Sequence, residues 1–192
     1  FLFKKGKISQ LFLFKIFYWM MLKKINLLND EKAFIESLTL LKNESTDELI
    51  KLINECFLNQ MKNRIPRKVI DIINEHKKSN RHLILATETI YEVAKVFADH
   101  LGFDKIIATQ AEIVDNKLTG KLAGPVCMQT QKAQMLKEYC DDNSIDLDNS
   151  FIYGGRADDQ AILELSKNSF VINPDEETKK LAQEKNWQII TT

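Results

Sequence analysis

Along the chain the apolar positions fall first at helical intervals and later in short unbroken runs, and that change of texture predicts the elements. Phe34, Ile35, Leu38 and Leu41 follow Asn29 or Asp30 at three- and four-residue spacing, the stripe of an amphipathic helix. Ser45 or Thr46 stands where the next helix wants its N-cap. Asp47 and Glu48 occupy its first turn, and Leu49, Leu52, Ile53 and Cys56 run along one side. Pro66 opens a helix over 67–78 whose Val69, Ile70, Ile72 and Ile73 are expected to face inward. Beyond it, residues 82–87 (HLILAT) and 105–109 (KIIAT) read as strands buried on both faces. The helix between them, 91–100, stops at Leu101-Gly102. Residues 112–122 predict a hairpin turning at Asp115-Asn116. A helix over 132–140, a strand at 151–153 ending in Gly154-Gly155, a helix over 161–165, a strand at 170–172, a helix over 178–184 and a strand at 187–190 complete the pattern. Strands alternating with helices predict an α/β fold, a parallel sheet with helices on both faces, whose ligands gather at the carboxyl ends of the strands.

Residues 8–22 (ISQLFLFKIFYWMML) are densely apolar and bracketed by Lys4, Lys5 and Lys7 before and Lys23 and Lys24 after. A membrane-crossing helix needs about 20 apolar residues, and this run is shorter and carries Lys15 at its middle. A secretory signal needs small residues at a cleavage site, and KKINLLND supplies none. The expected role is a buried or interface helix, with contact to a membrane surface as the alternative. Residue 1 is Phe rather than Met, as in a processed product or a piece of a longer reading frame.

Composition narrows the function classes. The 192 residues carry 27 basic and 27 acidic side chains, for zero formal charge. That balance argues against a nucleic-acid partner, which would need clustered Lys and Arg. Cys56, Cys127 and Cys140 show no C-x-x-C spacing, and neither they nor His76, His82 and His100 have the spacing of metal ligands. The cysteine usage fits a reducing compartment, and a cytoplasmic location is expected.

The predicted strand ends hold the candidate chemistry. Thr87, with Glu88 and Thr89 after it, offers a hydroxyl and backbone N–H groups that suit a phosphate oxygen, or a plain helix N-cap. Lys132 follows Gln129-Thr130-Gln131 at a helix start, placed either to neutralise an anion or to sit in solvent. Asp158 and Asp159 suit Mg²⁺, or equally the dipole at a helix start.

Their order along the chain is more informative. Residues 83–190 resemble the haloacid dehalogenase superfamily in its phosphoserine-phosphatase-like branch, which has a Rossmann-like core. LILATET (83–89) is similar to that family's second motif, with Thr87 as the residue that hydrogen-bonds the substrate phosphate. AEIVDNKLTGKLAGPVCMQTQKAQML (111–136) is the closest match and places the third-motif lysine at Lys132. FIYGGRADDQAIL (151–163) aligns with the fourth motif, and VINPDEETKKLAQEKNW (171–187) resembles the branch's ending. The resemblance implies a helical cap over 1–65 and an α/β core over 66–192. It also implies Mg²⁺ as cofactor, a small phosphorylated metabolite as ligand, Lys132 and Asp159 as catalytic residues, and Thr87, Glu88 and Lys132 around the phosphate.

Two departures stand out. The first motif, D-x-D-x-T/V, which carries the aspartate nucleophile, does not occur in these 192 residues. The fourth motif's leading aspartate, a metal ligand, falls on Gly155, and its serine on Arg156. Asp159 remains, and Asp158 is a weak substitute ligand. Phosphoryl transfer to an aspartate needs a carboxylate in line with phosphorus and a cation to offset charge. The chain as given is therefore expected to be inactive. In the family the first-motif strand is central, so the strands at 83–87 and 151–153 are expected to pair directly, to accept a partner segment, or to leave the chain poorly stable.

Overall fold

The computed structural model describes residues 30–192, and the apolar stretch at 8–22 lies outside them. Among the described residues no helix is long and apolar enough to cross a membrane.

Helix α1 (Asp30–Leu38) passes through a short 3₁₀ turn into α2 (Thr46–Cys56). Ser45 precedes α2 with extended backbone, as expected, but its hydroxyl caps nothing. Thr46 instead turns its hydroxyl to Asn116 at the tip of a hairpin. That hairpin, β3 (Ala111–Val114) and β4 (Lys117–Leu122), turns at Asp115 and Asn116, both with positive φ (49° and 60°), the conformation Asp and Asn tolerate best after Gly. Leu118 exchanges backbone hydrogen bonds with the loop before α2, donating to Glu44 O (3.0 Å) and accepting from Asn43 N–H (2.8 Å). Leu38, Ala111 and Leu118 share a small core with Ile90. The helical segment and the hairpin thus form one unit, although 72 residues separate Ser45 from its bridge partner Lys117.

The larger unit begins at α3 (Arg67–Lys78) and continues through β1 (Ile84–Ile90), α4 (Tyr91–Leu101), β2 (Lys105–Thr109), α5 (Gln129–Asp142), β5 (Phe151–Gly154), α6 (Gln160–Leu163), β6 (Asn168–Ile172), α7 (Glu176–Glu184) and β7 (Gln188–Ile190). Gly102 ends α4 in the left-handed region (φ 69°), where a side chain would be strained. Asp175 caps α7 by accepting from Thr178 N–H at 2.8 Å. The main core gathers Ile107, Leu136, Ile152, Leu163 and Val171, with Trp187 packed at its margin.

All three crossover connections are parallel pairs, so the α/β class holds. The sheet, however, is in two pieces. β1 pairs with β2, β5 pairs with β6 and β6 with β7, and no ladder joins β1 to β5. The expected direct pairing of those two strands does not occur. Their ends still correspond. Arg81, just before β1, lies 3.9 Å over the ring of Phe151 at the start of β5. The residues following both strands meet at Lys132. The half-sheets therefore run side by side in one direction with a slot of about 590 Å³ between them. The slot explains two departures from expectation. Ile84, Leu85 and Ala86 are half-buried rather than enclosed on both faces. Helix α3 has its apolar stripe, yet none of its residues is buried, because the layer beneath it is missing.

Candidate functional site

The site lies at the carboxyl ends of the two half-sheets. β1 does not stop at Thr87 but continues to Ile90 through an irregularity in its pairing with β2. The reason is a buried hydroxyl on the neighbouring strand. Thr109, with no exposure, donates to Glu88 O (2.7 Å) and accepts from Cys127 N–H (3.0 Å), tying three chain segments together. Thr87 is consequently neither a helix N-cap nor at a helix start, since Ile90 precedes α4 and caps with no side chain. Its Oγ1 accepts a long bond from Thr89 N–H (3.4 Å).

Lys132, in the first turn of α5, is buried, against the solvated alternative. Its ammonium donates to Asp159 Oδ1 at 2.6 Å and stands 3.7 Å from Glu88 Oε1. The pair spans the mouth of the slot from one half-sheet to the other. Asp159 is held by its own segment as well, with Oδ2 accepting from Gly155 N–H at 3.1 Å. Burial alone would raise the Asp159 carboxyl. The Lys132 ammonium and the backbone N–H groups of Gly155 and Arg156 outweigh it and hold the group below the usual carboxylate value.

The two glycines after β5 differ. A Cβ on Gly154 would lie 3.0 Å from Asp159 Cβ and 3.1 Å from Leu163 Cδ1, so the close approach of Asp159 requires glycine there. A Cβ on Gly155 would meet nothing nearer than Ile172 O at 3.7 Å. The backbone leaves room for an aspartate at 155, and the sequence does not supply one.

The donor set present does not fit Mg²⁺. No group of three His, Cys, Asp or Glu side chains converges among the described residues. Asp159 is engaged with a lysine and a backbone N–H. Asp158 turns away to Arg156 (3.6 Å), whose own side chain is largely exposed and stays out of the space beside Gly155. Mg²⁺ asks for near-octahedral oxygen ligation, which one committed carboxylate beside an ammonium does not offer.

Of the residues singled out from sequence, Glu88, Lys132 and Asp159 come together, with Thr87 adjacent in chain to Glu88, while Asp158 stands apart. Sequence reasoning missed Thr109, Gly154 and Cys127. Cys127 sits beside the site with no exposure, its thiol reaching Ile107 O (3.7 Å). Burial pushes that thiol up, with Lys132 opposing only in part, so it is a packing group rather than a ready nucleophile. A D-x-D sequence does occur at Asp146-Leu147-Asp148, but it lies before β5, at the opposite end of the strand. There Asp146 binds Asn149 and Asp148 binds Lys167.

Known proteins share both sequence and fold with this chain. It is 28% identical over 154 residues to phosphoserine phosphatase SerB1 of Mycobacterium tuberculosis, covering 80% of this chain and 50% of that protein. The chain spans about half the length of the curated relatives it matches. A Bordetella pertussis protein of unknown function superposes with a TM-score of 0.90 at 22% identity, over 98% of this chain and 87% of that one. A HAD family hydrolase from Salmonella enterica serovar Typhi gives 0.74 at 16% identity, over 98% and 60% respectively. The profile of haloacid dehalogenase-like hydrolases matches residues 4–164, and the chain, with its phosphoserine-phosphatase-like sequence and its α/β fold, belongs to that family.

Proposed function

We propose that the 192-residue chain is a phosphomonoester-binding relative of the family's phosphatases that holds a small phosphorylated metabolite without hydrolysing it. The observation that carries this reading is the buried Lys132 ammonium at the strand ends, beside the Thr87-Glu88 segment. One ammonium proton goes to Asp159, leaving donors for an anion at the mouth of the slot. The Thr87 hydroxyl is a further donor. No side chain in reach serves as attacking group. Asp159 is tied down by Lys132 and Gly155, Cys127 is a buried thiol, and Gly155 offers no oxygen. Loss of an enzymic nucleophile costs several orders of magnitude in rate. Phosphoserine and other small phosphate esters are the ligands of choice for testing, on the strength of the relatives' names.

Two measurements test it on the full chain. Inorganic phosphate or phosphoserine, titrated calorimetrically, binds the wild type and loses at least tenfold in affinity with Lys132→Met. With p-nitrophenyl phosphate and Mg²⁺ the chain shows no turnover above background. Robust Mg²⁺-dependent hydrolysis abolished by Lys132→Ala sinks the non-hydrolytic reading, and unchanged phosphate binding in Lys132→Met sinks the site.

A second reading is favoured by the slot itself. It is a competent Mg²⁺-dependent phosphatase whose nucleophile-bearing segment comes from outside these 192 residues. An in-frame D-x-D-x-T/V immediately upstream of Phe1 in the gene supports it.

A further inference from the structure

The slot between β1 and β5 has the dimensions and chemistry of a missing strand. Its lining is apolar, from Ile84 and Ala86 of β1, Ile152 of β5, Ile72 and Ile73 of α3 and Leu136 of α5. Its two long walls are open strand edges. Leu83 turns its carbonyl to the β2 side, accepting from Asp104 N–H (2.8 Å) and Lys105 N–H (3.1 Å). By strand alternation Ile84 and Ala86 present N–H and C=O to the slot. Only an extended backbone satisfies two parallel edges at once. A strand residue occupies a rise of ~3.3 Å, a width of ~4.8 Å and a layer spacing of ~10 Å, or about 160 Å³. The 590 Å³ therefore admits about four residues. That matches the four residues of β5 and the four of β1 that keep regular register with β2, Ile84–Thr87.

We propose that this slot accepts one separate apolar peptide in extended form, four to five residues deep, hydrogen-bonded to β1 and β5 together. The walls decide between occupants. α3 and α5 cover the two faces, so an intact sheet edge of a second copy cannot enter, whereas a lone strand can. The apolar lining excludes a charged centre. Insertion also gives α3 the layer that its unburied stripe lacks, which makes main-chain pairing and side-chain burial act in concert. The proposal stands apart from the phosphate site, and its test involves neither phosphate nor turnover.

The test uses the full chain, a peptide with a Val-Ile-Val-Ile-Val centre and lysine ends, and the same peptide with proline at its middle. Amide hydrogen exchange is read at Ile84, Ala86 and the β5 residues. The free chain is expected to exchange these amides readily, the strand peptide to slow them at least tenfold at saturation, and the proline peptide to have no such effect, since it lacks a central donor. No slowing by the strand peptide overturns the proposal. So does slow exchange without peptide in a monomer, which assigns the slot to the chain's own residues 1–29. Slow exchange that appears only with dimer in sedimentation assigns it to a second copy and overturns it equally.

Discussion

The Lys132 ammonium lies 2.6 Å from Asp159 Oδ1, with 6% of the lysine side chain and 20% of the aspartate exposed. This short, largely dry pair links α5 to the segment after β5 and closes one end of the divided sheet. Breaking such a pair by removing one partner strands the other charge, at a cost of ~3 kcal/mol. Lys132→Met is expected to lower unfolding free energy by about that amount in urea titrations. Lys132→Met combined with Asp159→Asn should recover most of it, and a double variant no better than the single shows the pair is not the source.

The same pair fixes an acid response. The Asp159 carboxyl is held below its ordinary value of 3.8 in the folded chain, so the folded state binds this proton less readily than the unfolded one. Its stabilising effect is full above 3.8 and is lost as the pH falls from there through the lowered folded value. Asp159→Asn should flatten stability against pH in that acid window, measured by urea unfolding at successive pH values, and leave the slope near neutrality unchanged.

The adjacent glycines should respond in opposite ways. Gly154→Ala drives a methyl against Asp159 and Leu163 and is expected to cost ~1–3 kcal/mol. Gly155→Asp meets open space and should shift stability by no more than about 0.5 kcal/mol. Phosphatase activity should return only when Gly155→Asp is combined with a D-x-D segment supplied upstream. Recovery with that segment alone shows that the residue at 155 matters less to the metal than argued here.

Thr109 joins three segments through one hydroxyl. Thr109→Val leaves Glu88 O without its donor and Cys127 N–H without its acceptor inside the protein, and should cost ~1–3 kcal/mol. Thr109→Ser, which keeps the hydroxyl, should cost clearly less. Because Glu88 O is one of the partners, the valine variant should also weaken phosphate binding, whereas a purely local packing defect leaves that affinity alone.

Much of the fold was legible because local rules and global packing agree. Short apolar runs became β1, β2, β5 and β6, and Asp115-Asn116 made the turn that their tolerance of positive φ predicts. Reading failed where a distant partner overrides a local rule. Thr87 has the look of an N-cap, but Thr109, far along the chain, pulls Glu88 into the strand. Lys132 has the sequence surroundings of a solvated residue, and its burial depends on Asp159, 27 positions away. The stripe of α3 was correctly seen and wrongly filled, since periodicity shows which side of a helix is apolar and not whether anything covers it. Residues 8–22 lie outside the described part of the chain.

The hairpin's attachment to the first helices has a consequence for biosynthesis. Asn43, Glu44 and Thr46 find their hydrogen-bond partners only at Asn116 and Leu118, so the smaller unit cannot close until the ribosome has released the chain past residue 122. Until then α1 and α2 must wait with their apolar sides unsatisfied while β1, α4 and β2 are made. The nascent chain depends through that interval on helices too short to persist alone, and this places its greatest need for a chaperone midway through synthesis.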